Sequence, residues 1–194
     1  MNRIRRTTTT VLTAATMSIA VATTAAISGC ASAPDHGAGA PHVVGIASPA
    51  QASMLERMKS LEGEWTTLAA ETGNVVTVSV FEVTAGGSAV RETMFPGTSH
   101  EMTNLYHMDG PSLLLTHYCA AGNQPRMRAV AANGNKFPFR FDAVTNLTAA
   151  DEMYMGNMTL EFVDANTVIE HWETVRDGKT LTEHSPTLVL TRKQ

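Results

Sequence analysis

Two histidines, a cysteine and a methionine recur at two-residue spacing around one turn signal: His100 and Met102 precede Asp109-Gly110, and His117 and Cys119 follow it. Asp-Gly favours a two-residue hairpin loop, and such a loop here pairs Met108 with Pro111. Counting back, Tyr106 faces Leu113, Asn104 faces Leu115, Met102 faces His117 and His100 faces Cys119. Residues two apart share a strand face, so His100, Met102, Asn104, Tyr106, His117 and Cys119 fall on one face, and Leu113 and Leu115 aim that face inward. Two imidazoles, a thiol and a thioether are soft donors suited to copper(I) or, without the thioether, to zinc. The candidate metal ligands are therefore His100, His117 and Cys119. The same residue types also serve as ordinary core, where a histidine bonds a tyrosine or a carboxylate and Met and Cys simply fill space.

Other chemistries draw on the same residues. Cys119 with His100 or His117 offers a nucleophile and base, with Glu101 or Asp109 to orient the base, the makings of a hydrolase. Haem needs one axial histidine, and His100, His117, His171 and His184 are all available, although no Cys-x-x-Cys-His attachment motif occurs. Ser99 does not sit in a Gly-x-Ser-x-Gly elbow, and there is no phosphate-binding glycine loop and no His-Glu-x-x-His pair. Asn123 and Gln124, in Gly122-Asn-Gln-Pro125, place two amides at a turn, where they either hydrogen-bond a ligand or cap their own backbone. His171 and Trp172 are neighbours on a late strand, so one faces in and the other out.

The elements that must hold these residues are mostly strands. Met54, Leu55, Met58 and Leu61 recur at helical spacing and predict a short amphipathic helix. After Gly63 the apolar period becomes two. Turn signals then arrive at short intervals, at Gly73-Asn74, Gly86-Gly87, Pro96-Gly97, Asp109-Gly110, Asn133-Gly134 and Asp177-Gly178 among others. Between them lie about ten short segments rich in Val, Thr, Leu and aromatics, which predict an antiparallel meander. Within Asp142 to Asn157, Thr148 ahead of Asp151 and Glu152 suits one helical turn. A meander this long leaves two open edges unless it closes. The predicted class is therefore all-β, an antiparallel closed barrel of about ten strands with a short N-terminal helix, and a sandwich is the alternative.

The start of the chain reads as an export signal. Arg3, Arg5 and Arg6 precede an uncharged stretch from Val11 to Ile27, and Ile27-Ser28-Gly29-Cys30 reads as a lipobox. Residues 1–29 are the expected signal peptide, with Cys30 the lipidated residue, and Arg5-Arg6 also permits twin-arginine export. Several acyl chains, at about 0.8 kcal/mol per buried CH₂, make such an anchor permanent. Residues 30–50 are rich in Ala, Pro, Gly and Ser and form a flexible tether of roughly 25 Å, with His36 and His42 solvated in it. Residues 51–194 make one domain.

The formal net charge is -4, and loss of the leader's arginines makes the mature chain more acidic still, which argues against nucleic acid as a partner. With Cys30 acylated, Cys119 is the only remaining thiol and no internal disulfide forms. The expected location is the cell envelope, on the outer membrane where the envelope has two, since no Asp follows Cys30.

Leu61-Glu-Gly63-Glu-Trp65, just after the helix, resembles the Gly-x-Trp opening of the lipocalin and calycin barrels, and Leu188-Val-Leu190-Thr-Arg192 resembles their last strand. The resemblance implies that Gly63 turns the chain into the first strand, Trp65 plugs the closed end and Arg192 covers the tryptophan. Between these ends, Phe95 to Glu101, Leu115 to Cys119 and Gly122 to Arg126 look like a bacterial family of lipocalin-like, calycin-type envelope lipoproteins. It implies a membrane-anchored barrel that binds a small apolar or amphipathic ligand through His100, Met102, Asn104, Tyr106, His117, Cys119, Asn123 and Gln124. The competing classes are a metal or haem binder and a Cys/His hydrolase.

Overall fold

Ser48 caps helix α1 (Pro49–Lys59), the first element among the described residues. Its hydroxyl accepts from the Gln51 N–H while the Gln51 side chain accepts from the Ser48 N–H, and Pro49 has no N–H to leave unbonded. This capping box starts the helix two residues inside the segment expected as tether. The computed structural model describes residues 44–129 and 131–194; Cys30, the signal peptide, His36 and His42 lie outside the described residues. Met54, Leu55 and Met58 form the buried face of α1, as their spacing predicts, and Leu61 is buried just beyond it.

Nine strands then follow by simple hairpins, each antiparallel to the next: β1 (Gly63–Leu68), β2 (Val75–Thr84), β3 (Ala89–Met94), β4 (Met102–Asp109), β5 (Ser112–Tyr118), β6 (Gln124–Ala129), β7 (Lys136–Thr145), β8 (Tyr154–Phe162) and β9 (Thr167–Arg176). A two-residue strand β10 (Lys179–Thr180) folds back and pairs antiparallel with the end of β9. Strand β11 (Thr187–Arg192) then inserts between β9 and β1, with Leu190 opposite Val168 and Arg192 opposite Trp65. That insertion closes a ten-stranded barrel and removes the open edges, so the sandwich alternative does not apply.

Alternation decides which side chains fill the barrel. Val90, Glu92 and Met94 of β3 point in, as do Asn104 and Tyr106 of β4, Leu113, Leu115 and His117 of β5, and Val168, Glu170 and Trp172 of β9. At the end that α1 covers, Gly63 enters β1 at φ +123°, a conformation that costs glycine little. Trp65 is fully buried there, its indole N–H donates to the Leu61 carbonyl at 2.7 Å, and the Arg192 guanidinium lies 4.4 Å above its ring. Arg192 also donates to the carbonyls of Ser60 and Glu62, at 2.7 and 2.8 Å. Gly63, Trp65 and Arg192 thus meet in one corner.

Two sequence expectations need correction. The hairpin after β4 turns at Gly110-Pro111 rather than Asp109-Gly110: Gly110 takes the positive φ (+57°), and Asp109 pairs with Ser112. Pro111 has no N–H to give a ladder and its ring fixes φ near that of a turn position, so it belongs in the loop. The pairing slips accordingly, and Asn104 rather than Met102 faces His117, while Tyr106 faces Leu115. The second correction concerns Asp142 to Asn157, where β7 and β8 extend further than expected. The loop of residues 146–153 between them contains no helix, and the Thr148 N–H and hydroxyl both bond the Glu152 carboxylate at 2.7 and 2.8 Å.

Candidate functional site

A depression of about 370 Å³ lies beside α1, lined by Met54, Arg57, Ala131, Gly134 and Phe137 among others, and Trp65, Phe81, Leu113, Met127, Phe137, Phe139 and Met158 pack the barrel interior at the covered end and middle. Above them lies a polar layer that the sequence did not announce. Glu92 is fully buried, and its carboxyl accepts from the Ser79 hydroxyl (2.6 Å), the Asn104 amide (2.7 Å) and the Tyr106 hydroxyl (2.9 Å). Glu170, equally buried, accepts from the Trp172 indole N–H at 3.0 Å, and its other oxygen has no hydrogen-bond donor. Burial, reinforced by the neighbouring Glu92, raises the Glu170 carboxyl well above the usual carboxylate range. Burial likewise raises the Tyr106 phenol, so it stays a donor.

This layer sets the state of His117. The Asn104 amide nitrogen is committed to Glu92, so its carbonyl oxygen is the atom turned toward Nδ1 of His117, 2.7 Å away. A carbonyl accepts only, so Nδ1 carries the proton and Nε2 is left as a bare lone pair. That nitrogen is buried and has no partner, in a residue only 1% exposed. Burial lowers the imidazole pKa to about 4, so the ring is neutral at physiological pH. The ring is stacked at a tilt on Trp172, centroids 5.0 Å apart, which together with Asn104 fixes its direction.

His117 and Trp172 form part of the lining of a small cavity at the barrel end away from α1. Its other walls are three methionines, Met94, Met102 and Met155, with Phe95, Pro186 and Leu188. The volume is about 60 Å³, room for about two waters by their share of the liquid. A second cavity of about 220 Å³ adjoins it across Met155, lined also by Cys119, Ala121, Met153, Tyr154, Thr174 and His184. A larger depression of about 350 Å³ lies between β1, β2 and β11, but its lining of Thr66, Thr67, Leu68, Val75, Val189 and Thr191 holds no titratable group.

The expected site residues separate into three places. Met102 and His117 meet at the small cavity, with Asn104 and Tyr106 in the polar layer behind it. Cys119 is half-buried in the second cavity. His100 is exposed in the β3–β4 loop beside the Ser99 hydroxyl, 3.2 Å away. The His100, His117 and Cys119 set expected for a metal comes apart because β4 begins only at Met102 and β5 ends at Tyr118, leaving His100 and Cys119 outside the paired strands. Among the described residues no group of three or more His, Cys, Asp or Glu side chains is placed to hold one.

Glu101 accepts from the Gly97 N–H and Asp109 pairs with Arg128, so the acids expected to orient a catalytic base are engaged elsewhere. Asn123 donates to Glu152 and to the Met153 carbonyl while its buried Oδ1 has no partner, and Gln124 donates to the Gly122 carbonyl and lines a separate depression of about 240 Å³ with Thr116, Tyr118 and Arg126. His171 faces out toward Glu161 and Trp172 faces in.

Sequence reasoning missed Glu92, Glu170 and Ser79. A signal was present: in Val90-Arg-Glu92-Thr-Met94 and Val168-Ile-Glu170-His-Trp172 the acid occupies the apolar phase of the alternation, where an inward carboxyl must find donors. Comparison with protein-family models finds no match, and comparison with curated proteins finds none either.

Proposed function

We propose that this chain is an exported, lipid-anchored barrel protein that captures a small apolar or amphipathic molecule at its open end. The observation that supports capture is the pairing of an apolar, methionine-lined cavity with one buried, unpartnered acceptor, Nε2 of His117. An unmade hydrogen bond of this kind costs about 1–3 kcal/mol, which a ligand recovers on binding. Methionine side chains are flexible and polarisable and suit an occupant of varied shape. Because the barrel is filled beneath the polar layer, capture occurs at the mouth, with the bulk of the ligand in the adjoining cavity beside Cys119.

The anchoring part of the proposal rests on the lipobox ending at Cys30 and places the domain in the cell envelope, on the outer membrane where there are two. Membership of the lipocalin-like lipoproteins draws support from the Gly63, Trp65 and Arg192 corner.

Two measurements test the proposal. Metabolic labelling with palmitate is expected to tag the protein and to fail with Cys30→Ala; equal labelling of both defeats the anchor. Native mass spectrometry of the protein extracted from membranes is expected to show a small-molecule adduct that Leu188→Glu, a charge in the cavity wall, abolishes. A mass that stays bare even after incubation with a lipid extract defeats capture.

A further inference from the structure

We infer that the molecule held over His117 presents an uncharged hydrogen-bond donor, a hydroxyl or an N–H, to Nε2, and that the carboxylate of the same chain is rejected. This rests on the capture reading above and adds the chemical class of the ligand's head.

The inference follows a chain of donors and acceptors. Ser79, Asn104 and Tyr106 all donate to Glu92, which turns the Asn104 carbonyl to His117, places the imidazole proton on Nδ1 and leaves Nε2 able only to accept. Among the side chains that line the small cavity Nε2 is the one polar atom without a partner, because the Trp172 indole N–H is committed to Glu170 and the remaining walls are thioether, aromatic and aliphatic. The cavity offers no cation and no donor to a carboxylate. The imidazole does not turn cationic to receive an anion near neutral pH, since burial holds its pKa down to about 4. Size agrees: about 60 Å³ admits a hydroxyl or amide with a carbon or two, and the chain continues past Met155 into the cavity of about 220 Å³.

The test is calorimetric titration of the full chain at neutral pH with three probes of equal length, 1-octanol, octanamide and octanoate. The alcohol and the amide are expected to bind roughly tenfold or more tightly than the acid, the usual worth of one buried hydrogen bond. In His117→Phe, and in His117→Met as a second variant that keeps apolar packing on Trp172, the three affinities are expected to agree within about threefold. Octanoate binding as tightly as octanol, or a preference that survives both substitutions, overturns the donor inference and leaves capture standing. Failure of all three probes to bind the unmodified chain overturns both.

Discussion

The two ends of this barrel are built on opposite rules. At the covered end the buried polar groups have partners among the described residues: the Trp65 indole has the Leu61 carbonyl, and Arg192 has two carbonyls and the tryptophan face. Toward the open end three buried atoms, His117 Nε2, Asn123 Oδ1 and one Glu170 oxygen, lack partners, and the space beside His117 is only partly filled. Packing satisfied throughout stabilises; acceptors left unmatched cost stability and persist where something else is to meet them. The contrast divides the molecule into a foundation and a receptor.

Substitutions at the two ends are expected to separate along that division. The largest effect falls at the covered end, where Trp65→Ala is expected to cost about 3–5 kcal/mol in urea unfolding. A loss under about 1 kcal/mol would deny that this corner is the foundation.

Next comes acid. The folded state holds His117 neutral down to about pH 4, whereas the unfolded chain protonates near 6.5, so the unfolded state binds more protons between these values. The stability tied to this neutral imidazole is fully present above pH 6.5 and drains as pH falls toward 4. The loss amounts to about 3 kcal/mol. Urea titrations across that range should show the slope in the native chain and lack it in His117→Phe.

Glu170 contributes the opposite slope. Its folded carboxyl keeps the proton above the pH at which the unfolded one releases it, so its contribution is complete below pH 4.5 and is lost as pH rises toward the folded value. Each unit of that elevation is worth about 1.4 kcal/mol. Glu170→Gln, which still accepts from Trp172, is expected to match the native chain at pH 4.5 and to exceed it progressively above. A constant difference at every pH would remove Glu170 from the titrating layer.

The smallest effect is Arg192→Met, which keeps some cover over Trp65 but loses the cation-π contact and the two exposed bonds to the Ser60 and Glu62 carbonyls. It is expected to cost roughly 0.5–2 kcal/mol and to leave octanol binding at the other end unchanged. A change in that binding would mean that the ends are coupled.

How much of this was legible in the chain follows the same division. The covered end was readable because its parts are local or terminal: a helical run at Met54 to Leu61, the Gly63-x-Trp65 triplet and Arg192. The inward face of β4 and β5 was readable from period two, and a slip that shifts the pairing without changing faces left Asn104, Tyr106 and His117 inside. The partner of His117 was not readable, because it depended on whether Asp109 or Pro111 occupied the turn. Nor was the polar layer: Glu92 on β3 and Glu170 on β9 meet only because β11 closes the ring, and charged side chains on strands ordinarily face water. Strand number likewise does not fix whether a barrel is hollow. That depended on Phe81, Phe137, Phe139 and Met158 filling one level and on the side chains around His117 and Trp172 leaving a gap of about 60 Å³ at the next.

The central claim is that a buried, unprotonated acceptor nitrogen waits at the open end, and ring-nitrogen NMR of ¹⁵N-histidine-labelled protein tests it most directly. At neutral pH the His117 resonances are expected to show a proton on Nδ1, none on Nε2, and a shift confined to Nε2 when octanol is added. A proton on Nε2, or a ring that is charged at neutral pH, would contradict the account.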